Sequence, residues 1–255
     1  MLIDMEKVET FPKIFVSYVI KNMWDFHSLI IKDDIHMTHV QLRENIKKYR
    51  LNSKKYEFFQ EATNLLEGSS LVAYHVTRQL NIKSIMDGGL QVLDLKTYWN
   101  RLSIVLEKYG VLKSRLKIAK EKFLQIYKGK LGNRKGLICL FYPPQQLYGD
   151  DGMGGYDIMA QNYGGEIAER AFEDSMPDIW KILTNIGNPY IVKVELMYAA
   201  LNGLDKEEIV ADAIMTIVCN HFLKQKCHPN FTVHLQHNIL PSQIISIDKI
   251  KVLPT

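Results

Sequence analysis

The order of helix-type and strand-type segments constrains this chain more than any other feature. Residues 11–66 carry apolar side chains at helical spacing, and Gly68 ends that pattern. Short β-type runs then alternate with helix-type segments, but without the regular rhythm of a doubly wound parallel sheet. This order predicts an α+β fold, with an N-terminal helical region over 1–66 and a second domain over 67–255.

Within the second domain, strands are predicted where β-branched and aromatic residues cluster between turn residues. The predicted strands are 70–77, 136–143, 188–198, 230–236 and 243–253. Helices are predicted where apolar residues recur every three or four positions. The predicted helices are 78–89 with a stop at Gly88-Gly89, 102–130 with a break or bend near Gly110, a segment containing Glu166, and 204–225.

Length and composition exclude several classes of protein. The 255 residues are 47% hydrophobic, enough to bury a full core, yet no run of 18 apolar residues could span a membrane. The first residues are acidic and lack the apolar segment of a secretory signal. The three cysteines are too scattered for a disulfide framework. We therefore expect a cytoplasmic protein without a membrane partner.

Basic residues are concentrated in one part of the chain. The formal net charge is +4, but residues 108–135 contain ten Lys or Arg and a single acid, Glu121. Such a run is typical of the solvated face of an amphipathic helix. It also fits a contact surface for phosphates or for an acidic partner.

The first predicted strand of the second domain carries a histidine at a suggestive position. Strand alternation places Tyr74 and Val76 on one face and His75 and Thr77 on the other. An imidazole beside a hydroxyl can form hydrogen bonds with the hydroxyl groups of a ligand. The alternative interpretation is a core histidine that is bonded to a backbone carbonyl.

A second group of candidate residues surrounds one carboxylate. Tyr156, Tyr163 and Glu166 lie within eleven residues, and Tyr163 and Glu166 would share a face at helical spacing. Gly164 and Gly165 leave the backbone bare beside the carboxylate. Bare backbone would admit a ligand, or it would allow the helix to pack closely on a sheet.

The stretch "LVAYHVTRQLNIKSIMDGGL" resembles the opening motif of ADP-ribosyltransferases: a strand with aromatic-His-x-Thr, a short helix, and Gly-Gly-Leu. It is most similar to bacterial toxins of toxin–antitoxin and anti-phage systems. The C-terminal "ILPSQIISIDKIKVL" resembles the last strand of such domains. The resemblance covers about 70–255 and implies a split, mostly antiparallel β-sheet.

The resemblance also implies a reaction. Family members cleave the nicotinamide–ribose bond of NAD and transfer the ADP-ribose to a nucleophile. His75 and Thr77 would hold a ribose, an aromatic ring of Tyr98 or Tyr163 would stack on the nicotinamide or hold its ribose, and a glutamate would stabilise the cationic transition state. Further NAD contacts are implied for Tyr74, Asn81, Tyr156, Gly164 and Gly165.

The glutamate itself departs from the commonest family pattern. Family members usually supply it just before a C-terminal strand, but residues 228–253 contain no glutamate. A helical glutamate preceded by a tyrosine is closer to RES-domain toxins, which mainly degrade NAD. Glu166 is therefore the predicted catalytic residue, and Glu195 on a predicted strand is the alternative.

Three functions remain open from the sequence. The first is an ADP-ribosyltransferase acting on a macromolecule, and the basic segment favours nucleic acid, including RNA, over protein as acceptor. The second is a RES-like NAD glycohydrolase, and the third is a non-catalytic module that binds nucleic acid. A cytoplasmic toxin also implies an antitoxin protein, for which Trp24 and Phe26 are candidate docking residues or, alternatively, core residues.

Two further patterns do not predict a metal site. Cys219, His221, Cys227 and His228 lack the paired spacing of structural zinc ligands, so we expect no metal. The glycine-rich segment 145–156 lacks the ending of a P-loop and the ligand spacing of an EF-hand. It is predicted to form a mobile flap beside the NAD pocket.

Overall fold

The computed structural model describes residues 1–22, 53–129, 135–142, 160–224 and 231–250. These residues confirm a mixed α+β protein, whereas the ADP-ribosyltransferase-like arrangement stays a prediction. None of the described helices is long and apolar enough to cross a membrane. The sequence predictions for Trp24, Phe26, Tyr156, Cys227, His228 and the flap 145–156 lie outside the described residues.

The described residues form a six-stranded, mostly antiparallel sheet. Its strands are β1 (Leu2–Ile3), β2 (Ser70–Gln79), β3 (Ile138–Tyr142), β4 (Asn188–Met197), β5 (Phe231–Leu235) and β6 (Ile244–Lys249). The order is β5-β3-β2-β4-β6, with β6 antiparallel to β4 and the short β1 parallel to β2. The five strands predicted from the sequence are confirmed. The two residues of β1 are too few to give a sequence pattern.

Eight α-helices lie in the described part of the chain. They are α1 (Lys13–Lys21), α2 (Ser53–Leu66), α3 (Lys83–Gly88), α4 (Leu95–Lys108), α5 (Lys113–Gly129), α6 (Gly165–Phe172), α7 (Pro177–Asn185) and α8 (Gly203–Val218). A π-helical turn, Cys219–Leu223, continues α8. The sequence did not predict α7 or residues 95–101 of α4, and it predicted the remainder of α4 and α5 as a segment over 102–130 that breaks or bends near Gly110.

Local hydrogen bonds explain where α4 begins and ends. The Asp94 side chain accepts a hydrogen bond from the Thr97 N–H at 2.7 Å, so the helix is capped before Leu95. At the other end Gly110 adopts φ +89°, and the Val111 N–H donates to the Leu106 carbonyl in a Schellman motif. The predicted break at Gly110 is therefore confirmed, and it separates two helices.

The chain divides into two compact units. The first contains the described residues within Met1–Ala73, Phe141–Gln145 and Glu195–Thr232. In this unit α1, α2 and α8 pack against one another, and Phe15 and Val19 are fully buried. The Tyr18 ring stacks on Phe58 with centroids 4.9 Å apart, and its hydroxyl donates to the Glu61 carboxylate. The N-terminal helices thus share a unit with the later helix α8.

The second unit contains the described residues within Tyr74–Leu140, Gln146–Val194 and Val233–Thr255. Its helices α4 to α7 bury a common apolar core, with α5 packed on both α4 and α6. Members of that core include Trp99, Leu102, Phe123, Phe172 and Leu183. All the candidate residues on β2 beyond Ala73 and around Glu166 belong to this unit.

Gly89 follows α3 at a point where two segments approach closely. Leu90 and Ile239 exchange backbone hydrogen bonds, each 2.9 Å long. Gly89 adopts φ +72°, and a Cβ built on it would lie 1.9 Å from the Ile239 carbonyl oxygen. The second glycine of the predicted Gly-Gly stop is therefore required by backbone packing as well as by its dihedral angle.

Replacing Gly89 with alanine tests this close approach, with Gly110→Ala as the matched control. Both glycines have positive φ, but a Cβ at Gly110 would meet no atom within 4 Å. We expect Gly110→Ala to lower the free energy of unfolding by about 1 kcal/mol and Gly89→Ala by about 3 kcal/mol, since a steric clash adds to the dihedral strain. Urea denaturation measures both, and equal losses would contradict the packing explanation.

Candidate functional site

The central strand β2 carries a polar stripe on one face. Strand alternation places His75, Thr77 and Gln79 together, and all three are half-buried. The Gln79 Nε2 donates a hydrogen bond to the Thr77 Oγ1 at 2.8 Å. On the other face Tyr74 and Val76 are buried in the core. The predicted alternation is therefore confirmed.

A hydrogen bond sets the tautomer of His75, and burial sets its charge. Its Nδ1 lies 3.0 Å from the Cys139 carbonyl oxygen on the neighbouring strand β3. Because a carbonyl oxygen accepts but cannot donate, Nδ1 carries the proton. Burial lowers the pKa of His75 below 6.5, against a smaller opposing effect of the Cys139 bond, so the ring is neutral at pH 7. The Nε2 atom is then a hydrogen-bond acceptor.

This contact is the alternative that the sequence left open, a histidine bonded to a backbone carbonyl. It is compatible with ligand binding, since the bond uses Nδ1 and sets the orientation of Nε2. An imidazole held in one tautomer can accept a hydrogen bond from a ligand hydroxyl without reorganising.

Arg78 lies on the opposite face of β2 from His75 and binds three backbone carbonyls. Its Nε donates to the Ile186 oxygen at 2.9 Å, and its Nη1 donates to the oxygens of Ala160 and Gln161 at 3.1 and 2.9 Å. Burial lowers the pKa of Arg78, but an arginine remains charged at neutral pH. These bonds attach β2 to the segment that leads into α6.

A second close approach reinforces this attachment. Gly187 follows Ile186, adopts φ +74°, and would place a Cβ 2.9 Å from the Gln79 carbonyl oxygen. The connection between α7 and β4 therefore lies against the end of β2. A side chain at Gly187 would push these two segments apart.

The turn before α6 is held by Asn162, which is fully buried. Its Nδ2 donates to the carbonyl oxygens of Gly165 and Tyr163 at 3.1 and 3.4 Å. The Tyr163 N–H donates in turn to the Leu183 carbonyl at 2.9 Å. Within the described part of the chain, the Asn162 Oδ1 has no hydrogen-bond partner. The turn is thus connected to α7 and to the first residue of α6.

Gly164 is packed against Tyr98. The Tyr98 hydroxyl donates to the Gly164 carbonyl, and a Cβ on Gly164 would lie 2.6 Å from the hydroxyl oxygen. The Tyr98 ring stacks on Phe123, with centroids 5.3 Å apart, and burial raises its pKa. Gly165 differs, because a Cβ there would meet nothing within 4 Å. Close packing thus accounts for Gly164 and Tyr98, while the space beside Gly165 is open.

The relation between Tyr163 and Glu166 differs from the prediction. Helix α6 begins at Gly165, so Tyr163 precedes it and the predicted shared helical face does not form. Tyr163 packs against the core of α4 to α7, and desolvation raises its pKa. Glu166 lies in the first turn of α6, partly exposed, with its Oε1 2.8 Å from the Arg170 Nη2.

Glu169 is a carboxylate that the sequence reasoning missed. It is half-buried, and its pKa is raised by desolvation first and then by the charges of Glu173 and Glu166. Its spacing of three residues from Glu166 on a helix was the available signal. The first turns of α6 therefore carry two carboxylates, one ion-paired to Arg170 and one with a raised pKa.

The remaining predicted residues have other positions. Asn81 is exposed after β2, and its side chain accepts from the Lys83 N–H at 2.8 Å. Tyr74 is buried in the core, Glu195 is half-buried on β4, and Tyr156 lies outside the described residues. No group of three or more potential metal ligands occurs among the residues that the structure describes.

The predicted site residues thus form two sets in the second unit. One is the stripe of His75 and Thr77 on β2. The other comprises Tyr98, Tyr163 and Glu166 around the start of α6. Comparison with known proteins gives no match to a family model, a curated protein or a solved structure. Function is therefore inferred from the residues themselves.

The attachment through Arg78 predicts a large loss of stability when the guanidinium is removed. In Arg78→Met three carbonyl groups lose their donor, so we expect the free energy of unfolding to fall by about 3 kcal/mol. Arg115→Met is the control, because Arg115 forms an exposed ion pair with Asp178 and should contribute little. Urea denaturation compares the two variants, and similar small losses would refute the attachment.

The lowered pKa of His75 predicts a pH-dependent stability. Below the ordinary histidine pKa of 6.5 the unfolded chain takes up a proton that the folded ring excludes. The free energy of unfolding should therefore fall as the pH drops from 6.5 towards the lower folded pKa. His75→Gln should lack this component, while the exposed His237→Gln should retain it. Denaturation at several pH values measures it, and identical pH dependence in His75→Gln and wild type would contradict the assignment.

Proposed function

We propose that this protein is an NAD-consuming ADP-ribosyltransferase that acts as an intracellular toxin or anti-phage effector. The observation that carries the proposal is the neutral, oriented imidazole of His75 beside Thr77 on a half-buried strand face. These residues are the ones that the aromatic-His-x-Thr motif assigns to NAD binding. The motif and its local geometry therefore support the same role.

In this proposal the polar stripe of β2 holds a ribose of NAD. The Nε2 of His75 accepts a hydrogen bond from a ribose hydroxyl, since Nδ1 is already committed to Cys139. The hydroxyl of Thr77 exchanges hydrogen bonds with the same sugar, and Gln79 orients that hydroxyl. The ligand is bound by neutral groups, so binding does not require protonated His75.

Glu166 supplies the negative charge in the proposed reaction. The C1′–N bond to nicotinamide breaks with its electron pair passing to the nicotinamide ring, which leaves as a neutral molecule. The ribose develops oxocarbenium character, and a carboxylate bonded to the 2′-hydroxyl stabilises that positive charge. A nucleophile then forms a bond to C1′ and releases its proton. The ion pair with Arg170 orients the Glu166 carboxylate for this role.

Tyr98 and Gly164 take part indirectly, because they hold the start of α6 in place. Their mutual hydrogen bond and close packing position the turn that precedes Glu166. The space beside Gly165 is open, so a ligand can approach the backbone there. The aromatic contact to nicotinamide is assigned to Tyr163, which lies next to that turn.

The acceptor of the ADP-ribose is proposed to be a macromolecule, with nucleic acid and protein as candidates. If water were the acceptor, the protein would be an NAD glycohydrolase of the RES type. A toxic activity of either kind would require an antitoxin protein in the cell that produces it.

The proposed roles predict how single substitutions at His75 and Glu166 affect NAD cleavage. We expect Glu166→Gln and His75→Ala to lower the rate of nicotinamide release at least about 100-fold, because the first removes the negative charge beside the reacting ribose and the second removes a group that holds a ribose of NAD. Glu121→Gln, which changes an exposed glutamate of α5, is the control and should keep the wild-type rate. Circular dichroism and thermal unfolding of each variant establish that it is folded.

Incubation with NAD labelled in its adenylate part, and with separate pools of RNA, DNA and protein, identifies the acceptor. Label in one pool supports transfer to that class of molecule. Nicotinamide release without label in any pool would replace transfer by hydrolysis. Absence of nicotinamide release under all conditions would overturn both enzymatic proposals, and salt-sensitive RNA binding that survives Glu166→Gln would then indicate a binding module.

A further inference from the structure

The register between β2 and β4 follows from contacts just beyond the two ends of the pair. The two strands are neighbours in the sheet and have 10 residues each. At one end the Tyr198 N–H donates to the Ser69 carbonyl oxygen at 3.0 Å. At the other end a Cβ on Gly187 would lie 2.9 Å from the Gln79 carbonyl oxygen. The strands are therefore antiparallel and aligned end to end, without a net insertion in either.

This register extends the polar stripe of β2 across three strands. In the β2–β4 pair Thr77 lies opposite Tyr190, and in the β4–β6 pair Tyr190 lies opposite Lys249. Residues directly opposite each other in an antiparallel pair share a face of the sheet, with Cβ atoms about 5 Å apart. Thr77, Tyr190 and Lys249 thus form a transverse row, which carries a hydroxyl, a phenol and an ammonium group.

The transverse row is accessible and ends in a positive charge. Thr77 and Tyr190 are half-buried, and Lys249 is exposed. None of the ion pairs between described residues involves Lys249. The adjacent Asp248 belongs to the opposite face of β6, where its carboxylate accepts a hydrogen bond from the Ser246 hydroxyl at 2.8 Å. Within the described part of the chain, the Lys249 ammonium is therefore available to an anionic ligand.

A ribose with attached phosphates matches this arrangement of donors and acceptors. The Nε2 of His75 accepts hydrogen bonds, so it suits a sugar hydroxyl and disfavours a phosphate oxygen, which is itself an acceptor. The phenol of Tyr190 and the ammonium of Lys249 can both donate to phosphate oxygens. Two strand spacings, about 9.5 Å, separate the backbones of Thr77 and Lys249. The sugar and its phosphates would therefore contact different ends of the row.

We propose that Tyr190 and Lys249 bind the diphosphate of NAD while His75 and Thr77 hold a ribose attached to it. This inference rests on the proposed role of the β2 stripe in NAD binding. It adds the positive charge that a dianionic diphosphate requires and that the stripe itself lacks. The alternative role of Lys249 is protection of an edge, because β6 is the last strand of the sheet and exposed lysines discourage pairing with another sheet.

Binding of ADP-ribose to the full chain, measured by isothermal titration calorimetry, separates these two roles. ADP-ribose keeps the diphosphate and both sugars but has no bond to nicotinamide that could be cleaved. We expect Lys249→Gln to weaken binding about tenfold, because a charge-assisted hydrogen bond is lost, and Lys249→Arg to retain most of the affinity. Tyr190→Phe should weaken binding about fivefold through loss of one hydrogen bond. Added NaCl should weaken binding to the wild type more than to Lys249→Gln.

Lys193→Gln is the matched control. Lys193 lies on the same strand as Tyr190, but it is opposite Ser246 and so belongs to the other face of the sheet. Its replacement removes one positive charge from the same region without touching the transverse row. We expect ADP-ribose to bind this variant with the wild-type affinity and the wild-type salt dependence. Thermal unfolding of all four variants establishes that each is folded.

Several results would overturn the inference. These are no binding of ADP-ribose to the wild type at millimolar concentration, equal losses in Lys249→Gln and Lys193→Gln, or wild-type affinity in Lys249→Gln, which would leave the lysine as an edge-protecting residue. The failure of the proposed enzyme gives a different pattern. ADP-ribose binding that depends on Lys249, without nicotinamide release from NAD, would refute the reaction and retain the ligand site. NAD cleavage with an unchanged kcat/KM in Lys249→Gln would retain the enzyme and remove this inference.

Discussion

The interaction on which the second unit most depends is the contact between the guanidinium of Arg78 and three backbone carbonyls. Carbonyls at the ends of segments have no strand or helix partner, and leaving them without a donor is costly. Arg78 supplies donors to Ala160, Gln161 and Ile186 from one planar group. It thereby joins β2 to both ends of the helical segment that contains α6 and α7. The turn of Asn162 and the packing of Gly164 on Tyr98 then determine how α6 begins.

One strand thus has two functions on its two faces. Strand alternation places Arg78 on one face of β2, where it binds the segment before α6. It places His75 and Thr77 on the other face, where they form the polar stripe. The bond from His75 to Cys139 fixes the tautomer, so the proposed ligand-binding atom is oriented before a ligand arrives. A rigid strand therefore positions His75 and Thr77, the groups proposed to bind NAD. Because Arg78 attaches the segment before Glu166 from the opposite face of β2, a single NAD molecule would have to pass the end of this strand to contact both His75 and Glu166.

Local features of the fold could be predicted from the sequence, whereas contacts between distant residues could not. The alternation of β2, the stop at Gly89 and the break at Gly110 follow from neighbouring residues alone. The role of Gly164 does not, because it depends on Tyr98, which lies 66 residues earlier in the chain. Residues 95–101 of α4 were not predicted to be helical, although Asp94 is a typical N-cap residue and Leu95, Tyr98, Trp99 and Leu102 recur at helical spacing. The limit on distant contacts also hid the exposure of Ile104, Leu112 and Ile118, since helical periodicity does not identify which faces are covered by other segments.

In the proposed enzyme His75 on β2 and Glu166 on α6 act on a single NAD molecule. A crystal structure with a non-cleavable NAD analogue would show whether both residues contact it. The His75 Nε2 and a Glu166 carboxylate oxygen should each lie within hydrogen-bond distance of a ribose hydroxyl of the same bound molecule. An analogue bound in contact with one of these residues while the other lies across the sheet, or bound elsewhere on the chain, would contradict the proposed enzyme.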